Sequence, residues 1–155
     1  MERAVSLLVL WGLLLTALSL AQSASSALAT PPLYERLGGY DALAALTDDL
    51  IQRVTTDPAL LPFFAGHSTS SKQRIRQLLV EQLCQATGGP CFYIGHDMRT
   101  AHAGLGITET QWATLVRHLQ AALARFEVPH RERDELLAII STLKREIVAA
   151  AGTEA

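Results

Sequence analysis

One histidine stands in a setting that suits metal coordination. His102 lies in the stretch MRTAHAGLGI among small and apolar residues, and Gly104 and Gly106 follow it within four positions. A buried neutral imidazole needs a partner for both ring nitrogens, because each unpaired buried group costs about 1–3 kcal/mol. Imidazole nitrogen is also the commonest metal ligand among side chains. His102 is therefore a candidate metal ligand, with a hydrogen-bonded structural histidine as the alternative.

Four segments that could position this histidine carry apolar residues at helical spacing. In each segment the apolar residues recur three or four positions apart, which is the pattern of an amphipathic helix. No segment alternates polar and apolar residues in the manner of a strand, so the sequence predicts an all-α fold. The predicted long helices begin near residues 40, 70, 108 and 131.

The ends of these segments carry capping signals. Asp41 is the predicted N-cap of the first long helix, and Pro58 ends that helix because the residue before a proline avoids helical geometry. Thr108 and Gln111 have the spacing of a capping box. Residues 98–103 can form at most two helical turns, so contacts with the rest of the fold must set the position of the histidine.

The composition excludes several classes of protein. The chain has 155 residues, of which 49% are hydrophobic and 18% are charged, so it is long enough for one domain with its own core and too apolar to be disordered. The net charge is −2 and no stripe of lysine or arginine is visible. This charge pattern argues against a nucleic-acid partner.

The first 29 residues have the layout of a secretory signal. Arg3 precedes an uncharged apolar run over residues 4–21, and residues 27–29 read A-L-A, with the small side chains that a signal peptidase accepts. We expect residues 1–29 to be removed and residues 30–155 to form a single domain that is periplasmic or secreted. The alternative is an uncleaved membrane anchor that holds the domain on the periplasmic side.

The two cysteines suggest a disulfide rather than a metal site. Cys84 and Cys91 flank the turn-forming stretch QATGGP, and a disulfide is chemically permitted in an exported protein. A zinc site is not expected, because no second cysteine pair or nearby histidine completes four ligands. Two free thiols are the competing interpretation.

A planar cofactor would explain the apolar residues on the connector before the second long helix. Phe63 and Phe64 lie in the turn-rich stretch ALLPFFAGHSTSS, and such large side chains need an apolar surface to cover. A haem would offer that surface, an iron for His102 and the volume to fill a small helical core.

The sequence resembles the truncated haemoglobins of group I over residues 33–148. The matching elements are LYERLGG, DDLIQRV, PFFAG, KQR, GGP, YIGHDM, MRTAHAGLGI and the VP before the last helix. The resemblance implies a globin-like, truncated two-over-two helical sandwich around haem b. It also implies that His102 is the proximal iron ligand and that dioxygen or another diatomic gas, such as NO or CO, is bound.

The resemblance assigns further contacts to the haem. Phe64 corresponds to the phenylalanine that stacks on the porphyrin face, and Phe63 lies beside it. Arg76 or Arg99 could pair with a haem propionate, with a solvated surface charge as the alternative for each arginine.

The resemblance also maps Gln73 and Gln77, in the stretch KQRIRQ, to the distal wall above the iron. The chain holds extra residues on both sides of the KQR segment, so Ile75 or Leu79 could occupy one of the distal positions instead. The tyrosine that usually binds the ligand is replaced by Ile51, which cannot donate a hydrogen bond. This replacement puts nitric-oxide dioxygenase chemistry in doubt, because that chemistry relies on a stabilised complex with dioxygen.

These features favour a haem protein that reversibly binds dioxygen or another diatomic gas over an enzyme. The alternative is a haem enzyme for nitric-oxide detoxification or peroxidase-like chemistry, which would need an external electron donor. A haem-free interaction module is disfavoured by His102 and Phe64. The other histidines are expected on the surface, in a loop or at a helix start: His67, His96, His118 and His130.

Overall fold

The computed structural model describes residues 30–148, and these residues form helices joined by short loops. They contain no β-strand, which confirms the predicted all-α class. No helix in this part of the chain is long and apolar enough to cross a membrane. The predicted secretory segment, residues 1–29, lies outside the described residues. The helices are α1 (Leu33–Arg36), α2 (Gly39–Thr56), a 3₁₀ helix (Leu61–Phe64), α3 (Thr69–Ala86), α4 (Met98–Ala101), α5 (Glu109–Arg125), α6 (His130–Thr142) and α7 (Lys144–Ile147).

Helix α2 is central to the core. It packs against α3 on one side and against α5 on another, while α5 contacts α6. Residues three and four positions apart share one face of a helix. The apolar face of α2 is buried and consists of Leu43, Leu46, Leu50 and Val54. The other helices cover it with Leu83, Leu119, Leu123 and Leu136.

One of two predicted helix N-caps differs from the structure. Helix α2 begins at Gly39 and its N-cap is Gly38, whose φ is 95°, so the prediction of Asp41 as N-cap is wrong. Asp41 lies in the first turn instead, where a carboxylate interacts favourably with the helix dipole. The predicted capping box of Thr108 and Gln111 is confirmed.

The predicted last helix is divided at Leu143 into α6 and α7. Just before the break, the hydroxyls of Ser141 and Thr142 donate to the backbone oxygens of Ala138 and Ile139, both at 2.7 Å. Such local bonds compete with the regular helical ladder, and the amide of Leu143 bonds the oxygen three residues back rather than four.

A buried carboxylate joins α2 to α5. The side chain of Asp49 is only 5% exposed and accepts hydrogen bonds from Arg53 Nε, at 2.5 Å, and from Arg125. The hydrogen bond from Arg53, followed by that from Arg125, holds the pKa of Asp49 below its usual range. Asp49 is therefore ionised and paired in the folded protein, since an unpaired charge at such a position would be costly.

A disulfide between Cys84 and Cys91, whose Cα atoms lie 5.7 Å apart, ties the end of α3 to the loop that follows it. The predicted bond is therefore confirmed. The turn between the two cysteines requires a glycine, because a Cβ at Gly89 would lie 2.7 Å from the Cys84 sulfur and 2.5 Å from the ring of Tyr34.

Candidate functional site

The segment that carries His102 is a single helical turn with strong local anchors. Asp97 is the N-cap of α4, and its carboxylate accepts from the Thr100 amide at 2.9 Å and from the Thr100 hydroxyl at 2.8 Å. The hydrogen bond from the Thr100 amide is the largest cause of the lowered pKa of Asp97, and the bond from the Thr100 hydroxyl is the next largest. His102 is the C-cap, and Gly104 follows with a φ of 76°, which takes the chain out of the helix.

The ring of His102 has one nitrogen held and one available. Its Nδ1 lies 2.8 Å from the backbone oxygen of Met98. Because a carbonyl oxygen can only accept, Nδ1 carries the proton and donates, and the lone pair is left on Nε2. The ring is half-buried. Fixing the ring and its tautomer through the second nitrogen is the usual way in which proteins orient a metal-binding histidine.

A cavity of about 1020 Å³ lies between this segment and the end of the last helix. It matches the upper end of the range for ligand pockets, roughly 300–1000 Å³. Its wall includes His102 and Arg99, together with a salt bridge of 2.6 Å between Lys144 and Glu109. The cavity therefore combines a candidate iron ligand, His102, with the positive charge of Arg99, which could pair with the propionate carboxylates of a haem.

The two candidate propionate partners differ in their surroundings. Arg99 lines the cavity beside His102. Arg76 is engaged elsewhere, because its guanidinium donates two hydrogen bonds, of 2.8 and 2.9 Å, to the carboxylate of Asp48. The bond from Arg76 lowers the pKa of Asp48. The structure thus brings Arg99, and not Arg76, next to the histidine.

Phe63 and Phe64 lie on the 3₁₀ helix that follows Leu60. Both side chains are half-buried and pack against the edge of the core. They do not line the cavity beside His102, so the structure does not bring them into contact with that part of the site.

The candidate distal residues on α3 point in different directions. Gln73 is exposed. The amide of Gln77 donates to the Tyr40 hydroxyl at 3.0 Å and to Glu81 at 3.1 Å. Ile75 and Leu79 are half-buried, and Leu79 packs against the core.

Gln82 is a residue of the site that sequence reasoning did not single out. Its Nε2 lies 3.2 Å from the sulfur of Met98, the residue whose backbone oxygen holds the His102 ring. No local motif indicates this contact, because its partners are separated by 16 positions and meet only through the packing of α3 against α4.

His118 was expected to be exposed, and that prediction is wrong. It is half-buried, and its Nε2 lies 2.7 Å from the carboxylate of Asp57, which caps α2 at its C-terminal end. The hydrogen bond with His118 is the main cause of the lowered pKa of Asp57. The other three histidines, His67, His96 and His130, are exposed.

The residues around His102 fit a haem. With Nδ1 donating to Met98, Nε2 is the ring nitrogen left to ligate a metal, and a ring nitrogen is the donor that haem iron takes from a proximal histidine. The adjoining cavity is large, and Arg99 could pair with a propionate. The apolar residues of α3 and of the 3₁₀ helix that remain half-buried could cover a porphyrin face.

Comparison with known proteins also indicates a globin. The sequence pattern of the family described as bacterial-like globin matches residues 32–149. The group 1 truncated haemoglobin GlbN of Mycolicibacterium paratuberculosis is 35% identical over 115 residues, which cover 74% of this chain and 82% of that protein.

Solved structures share the fold. The truncated haemoglobin of Tetrahymena pyriformis in its Fe(III) form superposes with a TM-score of 0.71 at 22% identity, over 77% of this chain and 100% of that one. The 2/2 haemoglobin of a Synechococcus species superposes with a TM-score of 0.69 at 22% identity, over 76% and 98%. The predicted two-over-two globin fold is therefore confirmed, and the chain belongs to the group 1 truncated haemoglobins of the bacterial-like globin family.

Proposed function

We propose that this protein reversibly binds dioxygen or another diatomic gas at the iron of a haem b that His102 ligates. The observation that carries the proposal is the hydrogen bond from His102 Nδ1 to the Met98 oxygen. That bond fixes the tautomer in which Nε2 is an iron ligand. The haem, when bound, supplies a ferrous iron with one position open to a gas.

The side chains of the chain itself have separate roles in this proposal. His102 holds the iron. Arg99 pairs with a propionate, because Arg76 is already paired with Asp48. Phe63 and Phe64 offer apolar surface to the porphyrin, as the resemblance implies for Phe64.

Titration of the purified apoprotein with haemin tests the proposal. A Soret band that saturates at one haem per chain, and a ferrous form whose spectrum changes reversibly with dioxygen or CO, are the expected results. Absence of a saturating Soret band would contradict haem binding. A ferrous form that binds neither gas would contradict gas binding while leaving the haem in place.

We also propose that residues 30–155 act outside the cytoplasm, after removal of residues 1–29. The Cys84–Cys91 disulfide supports this location, because such bonds persist in oxidising compartments and are rare in the cytosol. Expression of the full chain, cell fractionation and N-terminal sequencing test it. A periplasmic or secreted product that begins at Thr30 is expected. A full-length product held in the membrane would support the anchor, and a cytosolic one would contradict both.

A further inference from the structure

Helix α3 has two faces of different character. A helix turns by about 100° per residue, so Ile75, Leu78, Leu79 and Gln82 share one face. On the same geometry, Gln73 and Gln77 lie roughly 150–170° away from the centre of that face. No rotation of side chains about their own bonds can bring both groups to the same side of the helix.

The first face is turned toward the segment that carries His102. Gln82 lies on this face and donates to the sulfur of Met98 at 3.2 Å. Met98 is the residue whose backbone oxygen holds the His102 ring, at 2.8 Å. The face that includes Ile75 and Leu79 is therefore the one that looks toward the proximal histidine.

This face is only partly covered by protein. Ile75, Leu78, Leu79 and Gln82 are all half-buried, whereas Leu83 at the flank of this face and Val80 and Cys84 on the opposite side of α3 are 0–2% exposed. Apolar side chains in the middle of a helix are expected to remain partly exposed where a bound apolar group, such as a haem, would cover them.

The polar residues of α3 are held on the other side. Gln77 is bonded to Tyr40 of α2 and to Glu81, and Arg76 is bonded bidentately to Asp48 of α2. Gln73 is exposed near the start of the helix. These contacts keep the polar groups directed at α2 and at solvent.

We propose that Ile75 and Leu79 form the distal wall of the gas site, and that this wall gives bound dioxygen no hydrogen-bond donor, so that dioxygen binds more weakly relative to CO than it would beside a donor. This inference rests on the proposed haem binding. Dioxygen takes on negative charge when it coordinates and gains from a hydrogen-bond donor, whereas CO changes little. A wall of isoleucine and leucine offers no donor, and a polar ligand that lacks a hydrogen-bond partner there is penalised.

Gln82 is the polar member of this face. Its amide is engaged by the Met98 sulfur, which is a weak acceptor. It lies one turn beyond Leu78, so its donor points at α4 and not at the space next to Ile75. We therefore assign Gln82 to positioning α4 and exclude it as a donor to the gas.

The infrared stretching frequency of bound CO tests the wall directly, because a nearby donor lowers it. The wild-type protein with haem should show a single band at the position of a haem–imidazole–CO complex in an apolar solvent. Leu79→Gln should lower the frequency and slow dioxygen release about threefold to tenfold, the effect of one added hydrogen bond. Ile75→Gln provides the same test if Leu79→Gln does not fold.

Matched substitutions separate the two faces. Gln77→Leu and Gln73→Leu should leave the CO band in place, as should Gln120→Leu on the exposed side of α5. A CO band that rises in Gln77→Leu, Gln73→Leu or Gln82→Leu would overturn the apolar wall while haem binding stands. Failure of the wild-type chain to develop a Soret band would instead overturn the proposed function, and the inference with it.

Discussion

The imidazole of His102 is oriented by a hydrogen bond from its Nδ1 to the backbone oxygen of Met98, 2.8 Å away. The two residues are four positions apart, and the amide of His102 also donates to the same oxygen, at 3.1 Å. The Met98 oxygen thus accepts twice from one residue. Main chain and side chain of His102 are oriented together, so the direction of Nε2 is set by the one turn of α4.

Replacement of His102 should abolish tight haem uptake. We expect His102→Ala to lose stoichiometric binding of haemin, because the iron then has no protein nitrogen to hold it. Added imidazole should restore a five-coordinate ferrous spectrum if the cavity survives. His96→Ala is the control, since His96 is exposed and should leave uptake unchanged. Full haem retention with an unchanged ferrous spectrum in His102→Ala would refute the assignment.

Replacement of Ile51 should strengthen dioxygen binding. Ile51→Tyr places a hydroxyl donor at the position where the resemblance to the group I truncated haemoglobins implies a tyrosine, and a net hydrogen bond is worth about 0.5–1.5 kcal/mol. Dioxygen release, measured by stopped-flow displacement with CO, should slow about threefold to tenfold. Ile51→Phe adds the ring without the hydroxyl and should lack the effect. Equal release rates in the tyrosine and wild-type proteins would show that a donor is already present.

The four long helices were predictable because each has an apolar stripe that repeats at the helical period. The same holds for the capping box of Thr108 and Gln111, which is a local pattern. The short turn before His102 was also predictable, since glycines bound it on both sides. These features depend on residues that are close together in the sequence.

The orientation of α3 was not predictable from its residues. The KQR motif favours Gln73 and Gln77 as the distal pair, but the rotation of a helix depends on what its other faces meet. Here Arg76 and Gln77 find partners on α2, 28 and 37 positions away. The pairing of His118 with Asp57, 61 positions away, escaped prediction for the same reason.

Reduction of the disulfide should lower stability by a modest amount. Closing a loop this short restricts the unfolded chain by about 2–3 kcal/mol on the loop-entropy estimate. Urea unfolding of the wild-type protein should therefore show a lower midpoint with reductant, and Cys91→Ala should show no response to reductant. Two alkylatable thiols in non-reduced, exported protein, detected by mass spectrometry, would contradict the bond.

Asp49→Asn should destabilise the protein more than Asp48→Asn. Asp49 is 5% exposed and accepts from Arg53 and Arg125, so its loss weakens two charge-assisted bonds and should cost about 1–3 kcal/mol. Asp48 is 59% exposed, and such surface pairs contribute about 0–1 kcal/mol. Chemical denaturation at neutral pH compares the two variants, and equal losses would contradict the structural role of Asp49.

The Asp49 effect should fade in acid. Its pKa is lower in the folded protein than in the unfolded chain, where an aspartate titrates near 3.9. A group with a lowered folded pKa contributes stability that is fully present above the unfolded value and is lost as the pH falls toward the folded value. Wild type should therefore exceed Asp49→Asn by its full margin at about pH 6, and by less below about pH 4. A margin that is unchanged in acid would contradict this origin.

The disulfide shortens the chain segment that connects α3 to His102. Without it, the loop that connects α3 to α4 would comprise residues 87–97. With Cys91 bonded to Cys84, the part of this loop beyond the disulfide begins at residue 92. A chain spans at most about 3.3–3.6 Å per residue, so His102 has a smaller volume to search around the helix that faces it. In a protein that loses and regains its cofactor, the imidazole would stay within reach of the site in between.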